Sequence, residues 1–439
     1  MHVIPTQRSR PAWLAPLAVG IAIALVFIAL NYRAYDSFFQ DDELDTLSWA
    51  PSTPAAEFVT GFVKPLFDAE NFRPAGHLYF AVLGRLFGED FPPFVTPVFA
   101  LHLGNALLIF LLARRLRVNL WPALAAVTFF TWSASAFDAY WKPMYIFDLL
   151  CTFFSLASML LYSRGRWFFS FLAFWCAYKS KELAVMLPIV LLAWEYWFGD
   201  RRYLRLVPFF VASLSFGLQG ILLNPNKDNE YTFRFTWQAL TTTVPFYARR
   251  FLPFRAGGFL LLALPFIRDR RIWFGLSAAA CFLFTLLFLP GRIFEAYAYL
   301  PLACVTTALA AAASHMRPAW ALAALAIWMP FNVHELRLKQ RNTLEQADKT
   351  WVFVDSINQW VAKNPAVGTL VYDGVPRGFH NWGVTAAWNI AHHTTGMPAY
   401  FLDSASGKKT LSTEVVAYAA WDEKANRLLL QTRVPSNVK

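Results

Sequence analysis

The sequence predicts an all-α polytopic membrane protein of about 11 transmembrane helices with a small mixed α/β C-terminal extracytoplasmic segment. Three observations lead there. The 439 residues are 57% hydrophobic and only 15% charged, against about a quarter charged in soluble globular proteins. Apolar runs recur from about residue 13 to residue 333, after which the chain turns polar. Basic and acidic residues alternate between the loops joining those runs, as the retention of Arg and Lys on one side of a membrane requires. Two domains are expected on this basis: a transmembrane domain over 1–333, with a first outer loop at 32–91, and an extracytoplasmic segment over 334–439.

The first run spans Trp13 to Asn31 behind Arg8 and Arg10. It is long for a signal-peptide core and has no convincing cleavage site, so it reads as a retained signal anchor. Further runs cover 92–113, 119–137, 143–162, 167–178, 183–198, 206–223, 239–267, 272–290, 296–314 and 318–333. A perpendicular helix needs about 20 residues to cross the hydrocarbon core. The runs at 167–178, 183–198 and 318–333 must therefore borrow flanking residues or cross a locally thinned region. The run at 239–267 is interrupted by Arg249, Arg250 and Arg255 and reads as an interfacial helix followed by a span.

Starting inside, the inner loops hold Arg114, Arg115 and Arg117; Arg164 and Arg166; Arg201, Arg202 and Arg205; Arg268, Arg270 and Arg271; and Arg317. The outer loops hold Asp41, Asp42, Asp45, Asp68, Glu70, Asp138, Asp228, Glu230 and Glu295. The N-terminus is thus expected in the cytoplasm and the tail outside, in a bacterial inner (plasma) membrane. The net charge of +11 follows from arginines packed into the inner loops, and no nucleic-acid partner is implied. Mean hydropathy is +0.38. Cys151, Cys176, Cys281 and Cys304 all lie in apolar runs, which argues against a disulfide scaffold or a Cys-based zinc site.

Within the first outer loop, residues 76–87 predict an interfacial helix with Leu78, Tyr79, Val82, Leu83, Leu86 and Phe87 on much of one face. The tail begins with a helix that leaves the membrane and runs to about 363. Strands are expected at Thr369–Tyr372 and Arg427–Gln431, with a turn at Asp422–Asn426 before the latter.

The chemistry-bearing residues collect on the outer side. Asp41-Asp42-Glu43 directly follows the first run, and carboxylates belong where water holds their charge. Asp41 or Asp42 suits a general base; a solvated helix start is the competing reading, and adjacency does not say which Asp acts. Arg73, with Pro74 pre-set for a first helical turn, and His77 four residues on are candidate substrate contacts. Arg73 as an interfacial snorkeller and His77 as a structural residue stay open. Lys179-Ser180-Lys181-Glu182 is either a tight outer turn or an entry into a wet cavity, in which Lys181 faces phosphate and Glu182 orients the acceptor or the loop. Arg292, Glu295, Tyr297 and Tyr299 cluster at the turn into the tenth run, where Arg292 and Glu295 are also spaced to pair on a helix. His392-His393 lacks metal-site spacing. No metal ligand set and no cofactor are indicated, while dependence on a divalent ion stays open.

These marks, in this order, resemble the GT-C superfamily of polytopic glycosyltransferases, and most nearly its protein O-mannosyltransferase branch with the tetratricopeptide-bearing transmembrane members. The family's aromatic Asp-Asp segment is matched by Phe38-Phe39-Gln40-Asp41-Asp42, and its loop-helix Arg-Pro by Arg73-Pro74. Its Ser-Lys-Glu before a Pro-bearing helix is matched by Ser180-Lys181-Glu182 and Pro188. A late motif is similar to Glu295-Ala296-Tyr297-Ala298-Tyr299-Leu300-Pro301, with Ala296 where the family has Arg, so Arg292 is the substitute candidate for that contact. The resemblance covers about 10–333 and no tetratricopeptide repeat follows.

The resemblance implies inverting transfer of a sugar from a polyprenyl-phosphate donor to a hydroxyl of a protein, lipid or glycan at the outer face of the bilayer. Asp41 or Asp42 would be the base; Arg73, His77, Lys181, Glu182, Arg292 and Tyr299 would bind substrate. Two rivals remain. A transporter or flippase of a lipid-linked or small polar substrate would put its charges near the midplane. A polysaccharide ligase or polymerase would expel a diphosphate.

Overall fold

The structure, a computed structural model, describes residues 14–67, 72–222, 228–252 and 257–435. Arg8, Arg10, Trp13, Asp68, Glu70, Lys227 and Arg255 lie outside the described residues. The helices in chain order are α1 (Leu14–Asn31), α2 (Asp41–Trp49), α3 (Ala55–Val63), α4 (Pro74–Phe87), α5 (Pro92–Arg115), α6 (Leu120–Trp132), α7 (Phe137–Trp141), α8 (Ile146–Ser163) and α9 (Trp167–Ser180). They continue with α10 (Leu187–Trp197), α11 (Val207–Leu222), α12 (Trp237–Phe251), α13 (Arg270–Leu287), α14 (Tyr299–Ala313), α15 (Pro318–Lys363), α16 (Asn381–Ala391) and α17 (Ala405–Thr413).

Among the described residues, the expected apolar runs fall mainly on helix. Among the described residues, five helical stretches are long and apolar enough to cross a membrane: Leu14–Asp36, Pro92–Arg115, Pro143–Ser163, Arg270–Leu287 and Glu295–Ala313. A sixth results if Leu120–Trp132 and Ala134–Trp141, bent by 50°, form one broken span. The expected count of 11 is not reached on these criteria, for a reason of length. At 1.5 Å per residue a helix the size of α9 or α10 covers roughly 15–20 Å of the ~30 Å hydrocarbon core. The run at 239–267 divides as expected, into α12 and a 3-10 segment at Gly257–Ile267.

The bundle is built around α14, whose span is 83% buried, whereas that of α1 at the periphery is 17% buried. The alanine-rich sequence of α14 explains its central place, because small side chains let helix backbones approach closely. At Gly275 of α13, an added Cβ would come within 2.8 Å of the Ala308 backbone nitrogen. Helices α5, α6, α8 and α13 pack around α14.

The arginine-bearing loops meet at one end of the bundle. Arg271 donates to the Arg117 carbonyl (3.2 Å), Arg270 to Trp197 (3.2 Å) and Arg115 to Ser163 (3.1 Å), while Asp269 pairs with His315 (2.7 Å). These contacts bring the loops carrying Arg115, Arg117, Arg270, Arg271 and His315 together.

In the segment 32–91, α4 starts at Pro74 and stops at Gly88, whose φ of +58° suits a residue without a Cβ. Leu78, Val82, Leu86 and Phe87 on its apolar face are exposed, as an interfacial helix requires. The expected boundary at 333/334 falls inside one continuous helix: α15 carries the last apolar run and the start of the tail together. The tail ends in a four-stranded sheet of order β2-β1-β3-β4, with β1 (Leu370–Asp373), β2 (Ala399–Phe401), β3 (Val416–Asp422) and β4 (Arg427–Arg433). Strand β1 lies parallel to β2 and β3, and β3–β4 is an antiparallel hairpin closing at Asp422↔Arg427. The two expected strands are β1 and β4; β2, β3, α16 and α17 were not read from the sequence.

Candidate active site

The outer-loop residues meet at the other end of the bundle. Asp148 lies in the first turn of α8 and Ser163, beside Arg115, closes that helix. Fifteen residues of α-helix separate them by about 22 Å.

Two ion pairs form the floor. Arg73, at the start of α4, donates from Nε to Glu182 Oε1 (2.7 Å). Lys181 binds both oxygens of Asp148 (2.6 and 2.7 Å). Lys181 is in extended conformation between α9 and the 3-10 segment Glu182–Met186, which turns its side chain and that of Glu182 toward different partners. The pairs interact with each other, since Asp148 lies within electrostatic range of Arg73 and Glu182. The Lys181 ammonium sits 4.0 Å from the centroid of the Tyr297 ring, a cation–π contact. Arg73 and Arg292 both interact electrostatically with Tyr297. Lys181 therefore contacts the Tyr297 ring directly, and Arg73 and Arg292 act on the same phenol electrostatically.

A third carboxylate carries more positive charge than it can neutralise. Glu295 accepts Arg250 (2.8 Å) and Lys339, so α12 and α15 each send one cation to it. Arg292 pairs with the exposed Glu230 (3.5 Å) and lies over the rings of Tyr231 and Phe294. Arg292 and Glu295, spaced to pair with each other, have different partners because the chain changes direction between them.

The acidic start of α2 faces the tail. Gln40 N–H donates to Glu43 (2.7 Å), fixing the first turn, and Asp41, Asp42 and Glu43 are placed where the helix dipole favours negative charge. Asp41 is buried and accepts the His380 backbone N–H and binds its Nδ1, both at 2.8 Å. Burial pushes its carboxyl above the usual range, and the His380 bonds oppose that shift. Glu43 is fully buried, accepts the Met144 N–H (3.0 Å), and is pushed up to about 7 by burial. Asp42 is exposed and accepts one bond, from the Trp382 indole N–H (2.8 Å). Tyr145 connects the two halves, lying within electrostatic range of Asp42, Asp148 and Tyr297.

Two expected site residues are placed elsewhere. The Tyr299 side chain is completely buried, with its hydroxyl 2.7 Å from His102 Nδ1 and 3.3 Å from Asn105 Nδ2, in the core between α5 and α14. Its position after Tyr297 turns it inward, away from the ion pairs. His77 is buried among Trp49, Phe72 and Phe147, and its Nδ1 accepts the Arg73 N–H (3.1 Å). Burial lowers its pKa to about 3, so it is a neutral acceptor that finishes the turn holding Arg73. His392 packs on Trp388, and no group of three metal-ligating side chains occurs among the described residues.

Asp148, Arg250, Lys339, His380 and Trp382 were missed as site residues. A lone acid within the apolar run 143–162 and a basic interruption of 239–267 were signals for the first two. The other three lie in a polar tail with no local mark.

Two crystal structures share the fold. ArnT from Cupriavidus metallidurans bound to undecaprenyl phosphate aligns with a TM-score of 0.53 at 14% identity, over 97% of this chain and 98% of that one. ArnT in the apo state aligns with a TM-score of 0.54 at 13% identity, over 97% and 99%. No family model and no curated protein matches the sequence. The chain has the fold of a multi-pass membrane protein, and the O-mannosyltransferase branch is not singled out.

Proposed function

We propose that the protein transfers a sugar from a polyprenyl-phosphate donor to a hydroxyl, with Asp42 as general base. The observation that carries this reading is the pair of neighbouring ion pairs Arg73–Glu182 and Lys181–Asp148, with Lys181 on the Tyr297 ring, beside an exposed Asp42 that keeps a free carboxylate oxygen. The fold shared with ArnT, a GT-C glycosyltransferase of which one structure holds undecaprenyl phosphate, supports it. The acceptor oxygen attacks the anomeric carbon while its proton passes to the Asp42 carboxylate. The bond from that carbon to the phosphate oxygen breaks on the opposite side, inverting the centre and releasing polyprenyl phosphate.

The cations stabilise the charge that develops on the leaving phosphate. The Arg250–Glu295–Lys339 group supplies an uncompensated positive charge, whereas Arg73 and Lys181 are each matched by a carboxylate. Asp42 is favoured over Asp41 because it is exposed and makes a single hydrogen bond. Asp41 has both oxygens committed to His380. This reading sets the site at the extracytoplasmic face of a bacterial plasma membrane and the arginine-rich end in the cytoplasm. It treats residues 1–333 as the transferase body and 334–439 as a cover.

The test is incubation of the purified protein with a panel of radiolabelled polyprenyl-phosphate sugars and candidate acceptors. Loss of label from the lipid, abolished in Asp42→Asn, is expected for at least one headgroup. Vesicle translocation of label without cleavage would establish transport instead.

A further inference from the structure

The tail brings two aromatic rings to the base. Trp382 and His380 stack with ring centroids 4.5 Å apart and planes 11° from parallel. His380 covers one face of the indole, yet Trp382 remains 47% exposed, so its open area is the other face and rim. Its N–H is on Asp42. The pair is rigidly held: His380 is tied twice to Asp41, and α16 seats so closely on α2 that a Cβ at Gly383 would lie 2.5 Å from Asp41 Oδ1. Trp382 thus has a flat apolar face beside a hydrogen-bonding carboxylate.

We propose that the open face of Trp382, backed by His380, is a stacking platform for a pyranose ring held beside Asp42. A pyranose has an apolar C–H face and a rim of hydroxyls. The C–H groups pack on the electron-rich face of the indole, and the rim reaches the carboxylate. The ring belongs to the donor headgroup or to the acceptor, and the chemistry of the platform is the same for both. The inference rests on the transferase reading for the role of Asp42, but sugar binding is measurable without turnover.

The experiment compares full-length wild type, Trp382→Leu, which keeps apolar bulk without a π face, and Trp382→Phe, which keeps a ring without the N–H. The probes are methyl pyranosides followed by saturation-transfer NMR, and undecaprenyl-phosphate-mannose against bare undecaprenyl phosphate by direct binding. Thermal melting checks that the tail stays docked. Trp382→Leu should weaken sugar-bearing ligands about tenfold or more and bare undecaprenyl phosphate less than twofold, while Trp382→Phe stays within about threefold of wild type. Loss confined to the methyl pyranosides assigns the platform to the acceptor, and loss confined to the sugar-lipid assigns it to the donor. Unchanged sugar affinity in Trp382→Leu overturns the proposal, as does a Trp382→Phe defect equal to it or a wild type that distinguishes no sugar-bearing ligand from bare lipid. If the platform fails while Asp42→Asn still abolishes turnover, the transferase reading stands. Pyranoside binding without any lipid cleavage would instead remove that reading and leave the platform.

Discussion

Asp41 and His380, 339 positions apart, are joined by two hydrogen bonds of 2.8 Å, one from the His380 backbone and one through its imidazole. One carboxylate of the acidic pair thereby fastens the tail over the site and leaves its neighbour for chemistry. Asp42→Asn is expected to lower turnover by about 10²–10⁴-fold, the usual worth of a positioned base. Asp41→Asn should retain most of the activity but make the tail beyond α15 more sensitive to limited proteolysis. Equal kinetic losses in the two variants would show that the division of labour is wrong.

Lys181 and Asp148 form the most deeply buried ion pair of the site. Removing one partner strands a charge, so Lys181→Met should cost about 3–5 kcal/mol of stability. The double variant Lys181→Met/Asp148→Asn should recover most of the loss without recovering donor binding. Melting temperature and lipid affinity measured together separate these effects; full recovery of both would make the pair purely structural.

His77 gives a signed pH effect. Its folded pKa of about 3 lies below the ordinary value of 6.5, so the unfolded chain binds more protons between those values. Its contribution to stability is complete above about pH 6.5 and falls as pH drops toward 3, reaching a loss of about 2 kcal/mol at pH 5. His77→Gln, which can still accept the Arg73 N–H, should flatten this part of the stability profile. A variant that melts in parallel with wild type from pH 7 to 5 would argue against a buried neutral His77.

Arg250 and Lys339 share Glu295, and the excess charge they carry is available to an anion. Arg250→Met or Lys339→Met should weaken undecaprenyl phosphate binding about tenfold or more, the scale of one charge-assisted hydrogen bond. Arg234→Met, whose cation pairs with exposed Asp228, serves as the control. An affinity unaltered in both site variants would take the phosphate elsewhere.

Tyr299→Phe should leave lipid affinity and turnover unchanged and cost about 1 kcal/mol, the net value of its hydrogen bond to His102. A kinetic defect at unchanged stability would return Tyr299 to the site.

Much of the molecule is legible locally. Hydropathy and arginine spacing locate the helices of the apolar runs, because burial in lipid is decided residue by residue. Pro74 and Gly88 announce the limits of α4, and the β4 turn announces itself through Asp422–Asn426. Arg73, Lys181 and Arg292 are recognisable as polar insertions at the ends of apolar runs, where charge costs too much to be incidental. Their partners are less visible. Asp148 is a single acid in an apolar stretch, and Lys339 is one of three lysines in the polar part of α15.

Periodicity and charge along the chain therefore establish the membrane class and mark the polar insertions at the ends of the apolar runs. Folding alone selects among equivalent neighbours, since that choice depends on contacts across hundreds of residues. It turns Tyr297 toward Lys181 and Tyr299 into the core, two residues apart. It also commits Asp41 to His380 and exposes Asp42 beneath Trp382. Burial and hydrogen-bond partners set the reactivity of a carboxylate, and adjacent aspartates acquire different ones only when the tail closes over them.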